Sequence, residues 1–111
     1  MIIGGKRDRS FGPVVMFGLG GTHVEVFGDV TFRVAPLGRV DAGEMIEELR
    51  GKRLLDGVRG RLHMGRETLI KALLSVSSML IENPRINEVD INPLVFFEGG
   101  ATAVDARAVM T

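Results

Sequence analysis

Asp90, Asn92 and Asp105 are the residues whose types and spacing most directly suggest chemistry. They lie in EVDINPLVFFEGGATAVDAR, Glu88 to Arg107, where the apolar residues otherwise read as two β-strands. Gly99-Gly100 suits a two-residue hairpin loop, because both central positions can need positive φ. That loop pairs Glu98 with Ala101, Leu94 with Asp105 and Asn92 with Arg107. Asn92 and Asp105 are then diagonal neighbours on one face, about 7 Å or less apart at Cβ. Asp90 shares that face by the two-residue alternation of a strand. An amide and a carboxylate so placed suit Mg²⁺, which takes oxygens at about 2.1 Å and keeps water and nucleotide phosphates as its other ligands. The same residues also fit a plain reading, with Asn92-Pro93 as a turn and Asp105 as a cap or as the ion-pair partner of Arg107.

Other residues carry weaker signals. In GLGG, Gly18, Gly20 and Gly21 let backbone N–H groups approach phosphate oxygens closely. The Lys-Ser/Thr ending of a Walker A loop is missing, and a flexible strand exit accounts for the glycines equally well. Arg59 lies in GVRG, in a segment with Lys52, Arg53 and Arg61. A guanidinium there can grip phosphate bidentately, and a solvated basic loop is the alternative. Arg7 and Asp8, in KRD, are either site residues or a structural pair.

These side chains need elements to position them. MIIGGKR reads as a strand, and PVVMFGLG as a second, apolar throughout and buried on both faces. HVEVF is a short alternating piece. In VTFRVAP, Val30, Phe32 and Val34 alternate with Thr31, Arg33 and Ala35, so one face is buried. Asp41 can cap a helix, with Glu44 three residues on, Met45, Ile46 and Leu49 on one face and Gly51 as C′ residue. KRLLDGVRGRLHMG reads as a connecting segment with one helical turn at RLLD. RETLIKALLSVSSMLIEN places Leu69, Leu73, Val76 and Leu80 at helical spacing and stops before Pro84. Strands NEVDIN, LVFF and ATAVDARAV follow. Strands, two helices, then strands predict an α+β fold, with a largely antiparallel sheet and the two main helices on one face.

The 111 residues suffice for one domain, spanning 1–111. Apolar residues make up 45%, enough for a packed core, and the zero formal net charge argues against a general nucleic-acid binder. With no cysteine, disulfides, thiolate metal sites and cysteine nucleophiles are excluded. No apolar run approaches the ~20 residues of a membrane helix. MIIGGKRDRS has no apolar region long enough for a signal peptide, so the expected location is the cytoplasm.

RDRSFGPVVMFGLGGTHVEVFGDVTFRVAPL, LLDGVRG and EVDINPLVFF…AVDAR together resemble the ADP-forming acyl-CoA synthetases, and more narrowly the C-terminal half of their ATP-grasp domain. The resemblance covers essentially the whole chain. It implies a part in the reversible conversion of acyl-CoA, ADP and phosphate to acid, CoA and ATP, through an acyl phosphate and a phosphohistidine. It assigns Mg²⁺ to Asn92 and Asp105, contact with the phosphorylated histidine to Asp90, and a place in the metal or phosphohistidine environment to Glu25. It implies ATP/ADP as nucleotide, with Gly18, Gly20, Gly21 and Arg7 near it and Arg59 among the catalytic residues. His23 stands where the family has an apolar residue, and neither it nor His63 is the phosphorylated histidine. Arg9 stands where Pro is usual and Thr22 where Ile is common. The expected partners are the N-terminal half of the ATP-grasp domain and a CoA-binding, histidine-bearing subunit or domain, so the chain is expected to be a piece of a larger enzyme. Its uncovered apolar surface also favours a homo-oligomer. The rival function is a non-catalytic, ligand-sensing region of a protein acetyltransferase.

Overall fold

A computed structural model describes residues 2–18, 30–48, 60–91, 94–97, 100–103 and 105–110. The expected strand HVEVF, the turn RLLD and the C′ glycine Gly51 lie outside the described residues.

Strands β1 (Ile2–Asp8) and β2 (Gly12–Gly18) form a hairpin in which Asp8 faces Gly12. The turn is fixed from within. Asp8 Oδ1 accepts from the N–H of Phe11 at 2.9 Å and of Ser10 at 2.7 Å, and these bonds hold the carboxyl below its ordinary pKa. Gly12 sits at φ 81°, a conformation open to glycine at little cost. Strand β3 (Val30–Val34) pairs with β2, β4 (Ile86–Ile91) with β1, and β7 (Ala106–Met110) with β4. All four ladders are antiparallel, giving a five-stranded sheet of order β3-β2-β1-β4-β7. Strands β5 (Leu94–Phe97) and β6 (Gly100–Ala103) make a separate two-stranded ladder. The single strand expected over ATAVDARAV is thus two, β6 and β7.

Helix α1 (Arg39–Glu47) and helix α2 (Gly60–Glu82) lie on one face of the sheet. α1 begins earlier than expected. Gly38 is its N-cap, and Asp41, three residues in, reaches back to the Gly38 N–H at 2.8 Å. Asp41 therefore supplies the inner half of the capping pattern rather than the cap. α2 also starts earlier, at Gly60, taking in residues read as connector; isolated glycines such as Gly65 weaken a helix without ending it.

Between sheet and helices lies the core of Ile3, Val15, Phe17, Met45, Leu69, Leu73, Val76 and Leu80, each essentially inaccessible to water. β2 is buried on that side alone, since Val14 and Met16 on its other side are only half-buried. β3 corrects the apolar-in expectation more sharply. Its buried residue is Thr31, which donates to the Met45 carbonyl at 3.1 Å, while Phe32 is 54% and Val34 50% exposed. The β2–β3 register explains this, because Phe32 faces Met16 on the side away from the helices.

At Gly5 α2 approaches the sheet closely. A Cβ there would stand 2.5 Å from Leu80 Cδ1 and 3.1 Å from Val76 Cγ1. Gly5→Val is therefore expected to destabilise the chain by about 1–3 kcal/mol through overpacking, seen as a lowered denaturant midpoint at unchanged slope. A midpoint equal to that of the unaltered chain would contradict the close approach.

Candidate functional site

The register sorts the polar residues onto two faces. Ile3, Gly5 and Arg7 of β1 face the helices, and Gly4 and Lys6 face away. Glu88 pairs with Lys6, Asp90 with Gly4, and Arg107 of β7 with Asp90. Directly paired residues share a face, so Gly4, Asp90 and Arg107 form one row across three strands. They line an open cavity of about 280 Å³ on the helix-free face, with Val14, Met16 and Phe32 as an apolar floor. Lys6 and Glu88 flank the row as an ion pair, with 3.9 Å between Nζ and Oε1. Gly4 keeps the floor beside Asp90 bare. A Cβ there would meet Met16 Cε at 3.3 Å and come within 4.0 Å of Asp90 Oδ1.

The hairpin carrying Asp105 has a different register from the one expected. Phe97 pairs with Gly100, Phe96 with Ala101 and Leu94 with Ala103, so Gly100 belongs to β6 and the expected pairing of Glu98 with Ala101 does not form. Leu94 therefore does not face Asp105, and the residue opposite Arg107 is Asp90 rather than Asn92. Two adjacent glycines fit either loop position, so the turn rule alone could not choose. The slip is two residues, which changes partners and preserves faces. On either side of the break between the ladders, Ile91 faces Ala106 and Leu94 faces Ala103.

The remaining predicted residues divide as follows. Asp105 is exposed and precedes β7. Gly18 is buried at the end of β2. Asn92, Glu25, Arg59, Gly20 and Gly21 lie outside the described residues. Arg7, expected near the nucleotide, is on the helix side, opposite in face to Asp90. Its guanidinium donates to the carbonyls of Leu80 at 2.7 Å, Ile86 at 3.2 Å and Asn83 at 3.3 Å. Leu80 lies in the last turn of α2 and Asn83 just past it, where the helix dipole favours a cation, while Ile86 opens β4, so Arg7 ties the helix end to the sheet. The guanidinium is thus engaged by these carbonyls, and among the described residues no Arg7–Asp8 ion pair is present. Arg7→Met is expected to cost about 1–3 kcal/mol, read as a lowered thermal midpoint. An unchanged midpoint would deny the cap its structural role.

Sequence reasoning missed Gly4, Lys6, Glu88 and Arg107 as neighbours of Asp90. Their signal was the strand alternation, legible once the partner of each strand is known.

Among the described residues, no group of three or more His, Asp or Glu side chains is arranged to hold a metal ion, and no helix is long and apolar enough to cross a membrane.

Comparison with known proteins decides the family. An ATP-grasp domain model matches residues 1–110. The chain belongs to the ATP-grasp family. Over 110 residues this ATP-grasp chain is 46% identical to the beta subunit of an ADP-forming acetate–CoA ligase I from Pyrococcus furiosus, covering 99% of the chain and 47% of that subunit. It is 44% identical over 110 residues to the ADP-forming acetate–CoA ligase I of Archaeoglobus fulgidus, of which it covers 16%. Among solved structures it resembles the dinucleotide-forming acetyl-CoA synthetase 1 of Ca. Korarchaeum cryptofilum, bound to coenzyme A and Mg-AMPPCP with a phosphohistidine segment pointing towards the nucleotide-binding site. The TM-score there is 0.88 at 46% identity, covering 99% of this chain and 52% of that one. The ATP-grasp chain thus spans about half the length of the beta subunit and about a sixth of the single-chain ligase.

Proposed function

We propose that this chain is the C-terminal ATP-grasp subdomain of an ADP-forming acyl-CoA synthetase and contributes its Mg-nucleotide phosphate site. The observation that carries the reading is the helix-free face, where Asp90 stands over the bare backbone of Gly4 with Arg107 opposite. The similarity to ADP-forming ligases over nearly the whole chain supports it.

The donor set fits Mg²⁺ carried in by nucleotide phosphates. Asp105 and Asn92 are the hard oxygen donors that would hold it. Held by those two side chains, Mg²⁺ would supply positive charge that offsets the charge of the phosphoryl group. Asp90 would accept the N–H of the incoming histidine, orienting the ring so that its other nitrogen carries the phosphoryl group. Once the rest of the enzyme covers the cavity, the apolar floor would strengthen each charge interaction. In the whole enzyme, acyl-CoA and phosphate yield acyl phosphate and CoA. The histidine then takes the phosphoryl group, releasing the acid, and passes it to ADP. The complementary ATP-grasp half and the histidine-bearing, CoA-binding part are the partners this requires.

Titration with Mg-ATP tests the division of the nucleotide cleft. The isolated chain is expected to bind more weakly than about 100 µM, because adenine contacts lie in the other half. A low-micromolar constant, about −8 kcal/mol, would overturn the half-site reading. Addition of the missing parts is expected to produce an acid-labile phosphoprotein from Mg-ATP, and failure to do so would refute the synthetase assignment.

A further inference from the structure

Resting on that reading, one residue on the same face has a role still to be assigned. Lys6 and Glu88 are paired with each other. Asp90 and Arg107 face each other directly, yet neither side chain has a hydrogen bond or ion pair among the described residues. Asp90 is half-buried and Arg107 exposed, and both line the cavity. A carboxylate and a guanidinium side by side, neither otherwise engaged, suit a guest that brings both a donor and an anion. A phosphorylated imidazole is such a group, with a ring N–H at one end and a phosphoryl dianion at the other.

Asp90 alone is a poor host for it. Its negative charge repels the phosphoryl oxygens, and the repulsion is felt more over the apolar floor of Val14, Met16 and Phe32 than in water. A cation on the facing strand offsets this. Lys6 shares the face and the cavity, but its ammonium is paired with Glu88 at 3.9 Å, two residues along the strand from Gly4. Arg107 stands directly across from Asp90, and its planar fork matches two phosphoryl oxygens at once. We propose that Arg107 binds the phosphoryl group of the incoming phosphohistidine while Asp90 accepts the imidazole N–H.

The test uses the complete enzyme. Arg107→Met is expected to lower the rate of phosphohistidine formation from Mg-ATP by about 10²-fold, with Mg-ADP affinity and thermal midpoint unchanged. Arg107→Lys is expected to recover part of the rate, since it keeps the charge and loses the fork. Phosphohistidine formation unaffected in Arg107→Met overturns the assignment. So does a parallel loss of midpoint, Mg-ADP affinity and rate without recovery in the Lys variant, the pattern of a purely structural residue. If the unaltered enzyme binds Mg-ADP yet forms no phosphohistidine, the reading beneath the assignment fails and the assignment fails with it.

Discussion

Phe17→Ala is expected to destabilise the chain by about 3–5 kcal/mol. Phe17 has no solvent exposure and sits in one cluster with Ile3, Val15, Met45, Leu69, Leu73 and Leu80. Removing its ring deletes a large apolar contact and leaves a cavity that two packed helices and a sheet cannot fully close. Against a typical total of about 5–15 kcal/mol, that is a large fraction of the stability. Equilibrium unfolding in denaturant measures it. Phe32→Ala provides the contrast, because Phe32 is 54% exposed on the opposite face. Its expected cost is below about 1 kcal/mol. Equal losses at the two positions would mean that the helix-free face is covered in the isolated chain, against the placement described above.

That contrast also marks how far the sequence could be read. The longest periodic element was clear, since Leu69, Leu73, Val76 and Leu80 repeat at helical spacing and are the buried line of α2. The α+β order was clear for the same reason, from periods that change between two and 3.6 residues. The burial of β3 was not. Alternation says that one face differs from the other, but not which face this chain covers. Thr31 is buried through a bond to the Met45 carbonyl, a partner that no local pattern reveals. The loop at Gly99 and Gly100 defeated the register count because each glycine permits the φ that a tight turn needs. Arg7 illustrates a third limit. The carbonyls it caps are 73, 76 and 79 residues away, so its type and neighbours point to a phosphate contact as readily as to a helix end. For the site, the sequence identified Asp90 as a candidate, while the row it makes with Gly4 and Arg107 needed the strand pairing.

Asp105→Asn is expected to weaken Mg-ADP binding and slow phosphoryl transfer by about 10²-fold in the complete enzyme. The substitution keeps the shape of the side chain and removes one negative charge. Asp105 is exposed and makes no hydrogen bond or ion pair among the described residues, so the fold should tolerate the change, with a thermal midpoint close to that of the unaltered protein. In the proposed site the loss would fall on the ion. A carboxylate offers a hard divalent cation a full charge, an amide offers only a dipole, and the deficit grows as nucleotide phosphates come to share the same ion. Raising the magnesium concentration should therefore restore part of the rate. Asp90→Asn separates the two carboxylates. It should leave Mg-ADP affinity near the unaltered value and depress phosphohistidine formation, because Asp90 belongs to the row with Gly4 and Arg107, whereas Asp105 precedes β7. Calorimetry with Mg-ADP and a phosphohistidine assay on both variants distinguish these roles. Unaltered magnesium dependence in Asp105→Asn would remove that residue from the metal site, and matching defects in the two variants would mean that the carboxylates act as one group.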